Sequence, residues 1–433
     1  MRLLASVLLL AAAATAARAD DWPQWMGPTR DDHWVETGIT RKFPEGGAKI
    51  QWRTPVAGGY SGPAVAAGRV FVFDYTTDGN TDGDPGRREK LSGVERILCL
   101  NAETGQPYWQ HQYDQTYEIS YPVGPRCTPT VDGDRVYALG AEGRLTCLYV
   151  ADGKVAWEKD FKAAYGATTP FWGYANHPLV WNNLLFCVVG GEKSLAVAFD
   201  KKTGKEQWRA LSAKEQAYCP PTMISVAGQP QLLIWDAEAL NSLEPSTGKA
   251  LWSVPLACDF GMSIMAPRQS GKLLFASGIV GKGLLLELQG TKQPEIVYRV
   301  DPTLALSSVN STPIIDGETM YGVDRKGELR GIELSTGKRL WETFVPTTGE
   351  RRENSGTAFL VKNGDCYFLM SETGDLVIAR LTPTGYQELS RAHILEPTST
   401  AFGRHVVWSH PAFANRHVYA RNDKEILSVD LAE

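Results

Sequence analysis

Short apolar runs alternate with Gly-, Asp- and Pro-rich turns along nearly the whole chain, and a fixed phrase punctuates them. A Thr-Gly-Lys-type turn is followed, four residues after its glycine, by tryptophan: Gly105/Trp109, Gly153/Trp157, Gly204/Trp208, Gly248/Trp252 and Gly337/Trp341. The steps between these glycines are 48, 51, 44 and 89 residues. The last is about twice the others, and Gly290, followed by Tyr298, fills the gap in degraded form. Gly385, followed by Leu389, reads as a further copy. A period near 45 residues marks a repeat architecture.

Two further markers keep the same step. Pro63, Pro129, Pro178, Pro267, Pro313 and Pro411 each have an apolar residue seven positions on, across a polar turn such as Val131-Asp132-Gly133-Asp134. An apolar residue also stands five before the turn glycine in six copies: Leu100, Leu148, Phe199, Leu243, Leu285 and Ile332. Each unit therefore reads as strand, tight turn, strand, loop, strand, Gly turn, strand. Four strands at this period make a propeller blade, so the predicted fold is an all-β propeller of four-stranded antiparallel blades.

Trp52, Trp109, Trp157, Trp208, Trp252 and Trp341, with Tyr298 and Leu389, count as outer-strand anchors and give eight blades. An indole lying between blades removes roughly 150–250 Å² from water, worth at most about 4–6 kcal/mol. The anchors are therefore read as staples rather than ligands. The chain ends on Glu425–Leu431 where a Gly turn and a Trp strand should follow, and Lys49-Ile50-Gln51-Trp52-Arg53 is a Trp strand with no predecessors. The two ends should share one blade and remove the open sheet edges.

This organisation overrides the multi-domain expectation for 433 residues. Residues 1–19 read as a secretory signal, 20–46 as an aromatic arm and 47–433 as the propeller. Arg2, the apolar run Leu3 to Ala14 and Ala17-Arg18-Ala19 carry the signal reading. The expected location is periplasmic or secreted, without a lipid anchor, since no cysteine stands at the cleavage point. No stretch is long enough for a transmembrane helix. Removing Arg2 and Arg18 moves the formal charge from −5 to −7, and such a field argues against nucleic acid as a partner. Seven cysteines without a Cys-x-x-Cys read as free apolar thiols. The arm, Asp21-Trp22-Pro23-Gln24-Trp25, reads as a strap across the ring, with partner binding as the alternative.

Ser61-Gly62-Pro63-Ala64-Val65, leading to Asn101-Ala102-Glu103-Thr104-Gly105 and Trp109, resembles the repeat of pyrroloquinoline-quinone (PQQ) type propellers. The nearest likeness is to secreted propellers similar to the assembly factor BamB, and the start Asp21–Pro28 resembles that of such proteins from planctomycete-type bacteria. The resemblance implies the propeller fold over residues 20–433 and two kinds of function. Quinoprotein dehydrogenases of the family hold the quinone in the axial funnel between a vicinal Cys-Cys disulfide and a tryptophan, with calcium and an aspartate base. The assembly-factor branch uses blade loops to hold protein partners in the envelope. This sequence has no adjacent cysteine pair and no recognisable calcium set, so no cofactor is expected, with PQQ and calcium as the alternative.

Chemistry, if any, should sit where the loops leading into the innermost strands line the axis. Those loops carry Tyr60, Arg126, Trp172, His177 and Tyr218, then Asn310, Arg352, Asn354, Trp408 and His410. Aromatic walls with a few aimed polar groups suit a ligand pocket, and Arg126 and Arg352 could fork onto a carboxylate or phosphate. The plainer reading is that these groups fill the channel mouth. His177 and His410 precede equivalent blade prolines, so both should point inward, to satisfy backbone groups or to meet a metal or proton. Asp78, Asn80, Asp82 and Glu89, around Gly83, have calcium-loop spacing, but the loop joins two strands and polar surface loops are common. Phosphate-loop, zinc-protease and serine-hydrolase motifs are missing. The expected function is a non-catalytic, exported scaffold that binds a protein partner in the cell envelope. The alternatives are a quinoprotein alcohol or sugar dehydrogenase and a funnel holding a small anion or glycan without turnover. The oligomeric state stays open.

Overall fold

The computed structural model describes residues 20–82, 86–301, 306–349 and 351–433. Eight four-stranded antiparallel sheets stand around a central axis, and a two-stranded hairpin, Ser399–Ala401 with Arg404–Val406, is inserted before the last. Numbered from the first complete sheet, blades 1 to 7 span residues 64–119, 130–160, 179–210, 222–255, 268–299, 314–343 and 358–393. Blade 2 shows the pattern: Thr130–Asp132, Arg135–Leu139, Arg144–Tyr149 and Val155–Asp160 run from axis to rim in sequence order. Blade 8 combines Ala412–Ala414, His417–Arg421 and Glu425–Asp430 with Lys49–Pro55 as its outer strand, paired from Lys49↔Asp430 to Pro55↔Glu425. The predicted closure is therefore the one observed. The signal segment, residues 1–19, lies outside the described residues.

The repeat phrase is the seam between blades. Each anchor indole reaches the Gly turn of the next blade and donates to a carbonyl there: Trp52 to Ala102 at 3.0 Å, Trp109 to Val150 at 2.9 Å, Trp157 to Lys201 at 3.1 Å, Trp208 to Pro245 at 3.0 Å and Trp341 to Thr382 at 2.8 Å. Tyr298 does the same through its hydroxyl, to Leu334 at 3.0 Å. The turn glycine lies flat on the preceding ring. A Cβ on Gly204 would come within 2.6 Å of the Trp157 indole.

Two seams depart from this. Trp252 donates to Gln231 Oε1 of its own blade at 3.0 Å, and Gln231 Nε2 donates to the Gly290 carbonyl of blade 5 at 2.8 Å. A side-chain amide thus relays across the degraded turn. In blade 7 the register corrects the expected anchor. Ala379 pairs with Glu388 and Ile378 with Ser390, which leaves Leu389 as the bulged residue. In blade 3 the residue just past the equivalent bulge is Trp208. Ser390 therefore takes the anchor position and accepts from the Phe43 backbone N–H at 2.9 Å.

The core is a set of inter-blade layers. The residues seven after each blade proline, and those five before the turn glycine in blades 1 to 6, are fully buried, Val136 and Leu148 in blade 2 among them. All seven cysteines are free and buried, and burial pushes thiols such as Cys147 up to about 12. Among the described residues no helix is long and apolar enough to cross a membrane.

Candidate functional site

Residues 22–34 cross one end of the axial channel and bond to the inner strands of nearly every blade. Trp22 pairs with Val65, and the Pro23 carbonyl accepts from Val131 N at 2.7 Å. The Arg30 guanidinium donates to the carbonyls of Pro178 and, at 3.3 Å, Pro221. Arg268 donates to the carbonyls of Arg30 at 2.8 Å and Asp31 at 3.2 Å. Trp34 N donates to the Lys362 carbonyl at 2.8 Å, and Asp32 Oδ1 lies 3.2 Å from His410 Nε2. The arm thus makes the strap contacts its composition suggests.

Above the strap lies a cavity of about 790 Å³. Eight of the ten residues singled out from the sequence line it: Tyr60, Arg126, Trp172 and His177, then Tyr218, Asn310, Trp408 and His410. Arg352 and Asn354 do not. Arg352 is exposed and pairs with the buried Glu328 carboxylate at 3.2 Å, while Asn354 accepts from Lys326. The reason is local: Glu353 N and Ser355 N bond to the carbonyls of Lys326 and Arg325, which ties this loop to blade 6 and leaves Ser355, not Arg352 or Asn354, at the cavity.

Arg126 is half-buried, with its guanidinium 5.2 Å from the Tyr60 ring. It donates to the carbonyls of Ser120 at 2.9 Å, Tyr121 at 2.6 Å and Gly124. No carboxylate among the described residues lies within ion-pair distance of it, and withdrawal from water lowers its pKa from the ordinary guanidinium value. Trp408 is oriented by the buried Glu372, which accepts its indole N–H at 3.1 Å and also holds Arg404 of the inserted hairpin at 2.8 Å. Trp172 meets Tyr218 edge-on, centroids 5.7 Å apart.

The two histidines do face the axis, but an indole stands between them. Trp25 stacks on His177 at 4.6 Å and meets His410 edge-on at 6.4 Å. Burial, then Arg30 and His410, holds His177 well below its usual pKa. It is therefore neutral, and its Nδ1 accepts the Thr128 N–H at 2.9 Å. Trp25 was visible in the sequence only as part of an aromatic arm. Phe402, at the cavity mouth, is likewise outside any repeat position, while Phe260 stands in the entry loop before blade 5.

The loop bearing Asp78, Asn80 and Asp82 is exposed and joins Arg69–Thr76 to Glu89–Asn101 in blade 1. Asp82 N bonds to Asn80 Oδ1 at 2.9 Å, an Asx turn. Gly83 and the side chain of Glu89 lie outside the described residues. Among those described, no group of three or more His, Cys, Asp and Glu side chains is placed to hold one metal ion.

A family model described as "Outer membrane protein assembly factor BamB" matches residues 93–341 and 236–433. The chain belongs to this PQQ-repeat propeller family. Among curated relatives, the BamB protein of Shewanella oneidensis is 24% identical over 54% of this chain, and the match spans 61% of that relative's length. That of Alteromonas naphthalenivorans is 26% identical, over 64% of this chain and 69% of its own. Among solved structures, BamB from Moraxella catarrhalis superposes with a TM-score of 0.54 at 14% identity, covering 88% of this chain and 98% of that one. A quinohemoprotein alcohol dehydrogenase from Comamonas testosteroni gives 0.63 at 13%, covering 97% and 82%. At such identities these two structures share the fold.

Pyrroloquinoline quinone carries three carboxylates, and the cavity does not fit it. Arg126 is the one Lys or Arg among its described lining residues, so at most one of the three carboxylates would meet a cation. Glu215 adds a negative charge. The vicinal cysteines that the resemblance implies have no counterpart in the sequence.

Proposed function

We propose that this protein is an exported, non-catalytic propeller that holds a protein partner in the cell envelope. The family match over residues 93–433 carries the reading; the relatives' name, assembly factor, supplies the class of role. A ring stapled at each seam suits it, because rigid blades present loops and outer strands without reorganisation. The outer strand of blade 5 is one surface to examine: Ile296 and Val297 are adjacent apolar side chains, each 45% exposed. Signal-peptide export, and solution in the periplasm or beyond without a lipid anchor, belong to the same proposal.

Crosslinking in intact cells, followed by purification from envelope extracts, tests it. A discrete envelope protein should be captured in stoichiometric yield, and Ile296→Ser with Val297→Ser should reduce that yield at unchanged melting temperature. A solitary protein, or one found in the cytoplasm, sinks the proposal. The quinoprotein alternative rests on shared fold alone, and an absorbance change on titration with the quinone and calcium would revive it. Loop 78–89 remains a calcium proposal on spacing alone; a calcium-dependent rise in melting temperature would support it.

A further inference from the structure

The axial cavity is built more deliberately than a filled channel mouth requires. Three aromatic residues that line it hold left-handed backbone: Tyr121 at φ 53°, Phe260 at φ 58° and Phe402 at φ 49°. Bulky side chains rarely adopt this conformation, which costs about 1–3 kcal/mol, and such strain gathers at ligand sites. Phe260 is 73% exposed and Phe402 44%. They sit on opposite sides of the mouth, one between blades 4 and 5 and the other on the inserted hairpin before blade 8. Apolar rings left in water at that cost are explained by something that covers them.

The charges narrow the choice. Arg126 brings one cation to the wall with no carboxylate beside it among the described residues, and an unpaired charge withdrawn from water is stabilised by an anion. The exposed Glu215 also lines the cavity and opposes a second negative group. Inside, the Thr128 hydroxyl is buried and makes no hydrogen bond among the described residues. The remaining wall is mostly rings and aliphatic side chains. A sugar, with many hydroxyls, would lose its water bonds there without replacement.

We propose that this cavity binds a small ring-bearing monocarboxylate, its carboxylate on Arg126 and its ring against Tyr60, Trp172 and Trp408. A volume of about 790 Å³ suits a molecule of that class. The proposal is independent of any protein partner.

Calorimetric titration of the full chain with 1-naphthaleneacetate, its uncharged analogue 1-naphthaleneacetamide, and cellobiose tests it. The expected result is one saturable site for the acetate, about tenfold tighter than for the amide, with no detectable cellobiose binding. Arg126→Gln should erase the acetate preference. Because Arg126 also holds three carbonyls, Phe260→Ser combined with Phe402→Ser provides a second readout. Both positions are exposed, so melting temperature should hold while acetate affinity falls about tenfold. The proposal is overturned by no saturable acetate binding up to about 1 mM, by equal affinity for acetate and amide, by tighter cellobiose binding, or by unchanged affinity in the double variant.

Discussion

The seam between blades 3 and 4 and the seam between blades 4 and 5 do the same job with different parts. At the first, Trp208 bonds directly to the Pro245 carbonyl and lies on Gly248, whose Cβ would come within 2.5 Å of the ring. At the second, Trp252 reaches Gly290 only through Gln231, and a Cβ on Gly290 would meet nothing within 4 Å. The glycine is needed for contact in one seam and merely for its turn in the other. Burial of the ring is common to both: Trp208 and Trp252 are 9% and 4% exposed. In these two seams the buried ring is the shared requirement, and the polar link is rewired.

Four measurements would break or sharpen that comparison. Trp52→Ala removes a buried indole at the closing seam and should cost about 3–5 kcal/mol, read as the largest drop in denaturant midpoint. Replacing the seam glycines should split by seam. Gly204→Ala, with φ 68° and the Trp157 ring 2.6 Å away, should lose about 2–4 kcal/mol. Gly290→Ala, with φ 65° and open space, should lose about 1 kcal/mol. Equal losses would mean that the turn conformation, not the ring contact, sets the requirement.

Gln231→Leu keeps the volume and removes the relay. It leaves the Trp252 N–H, the Ser242 hydroxyl and the Gly290 carbonyl without their amide partner, and about 2–3 kcal/mol should go. Equilibrium unfolding checks it, and a neutral result would mean water replaces the amide.

The smallest effect is pH-dependent. His177 has a folded pKa below its unfolded value, so the unfolded chain binds the extra proton. Its contribution is complete above about pH 6.5 and is lost as pH falls below that, by at most about 1.4 kcal/mol per pH unit. Buried Glu95 has a raised pKa and acts in the opposite direction, so the informative quantity is a difference. The stability of the native protein minus that of His177→Gln should fall between pH 7 and pH 5. A flat difference would show that His177 takes up its proton equally in both states, with no depressed pKa in the fold.

The blade count, the closure by both chain ends and seven of the eight anchors were legible because seam chemistry repeats once per blade. Leu389 was misassigned because a bulge shifts register by one residue, which spacing alone does not reveal. The cavity was legible in part. Eight loop residues line it, because the loop that leads into each innermost strand opens onto the axis. Arg352 and Asn354 also stand in such a loop, but their side chains are captured by Glu328 and Lys326, a tertiary preference with no periodic signature. Trp25 and Phe402 belong to no repeat position, so only the folded chain shows that they line the cavity, whereas Phe260 stands in an entry loop.

Blade 8 joins residues 381 positions apart, as in the ion pair of Lys49 with Asp430. Any process that delivers the polypeptide vectorially, whether translation or threading through a pore, supplies these halves at opposite times. Seven sheets can stack while the circle is still an open arc with two sticky flanks. Commitment to the native state therefore waits for the final delivery, and a chaperone that shields strand flanks in that interval would raise yield more than one acting on the finished ring.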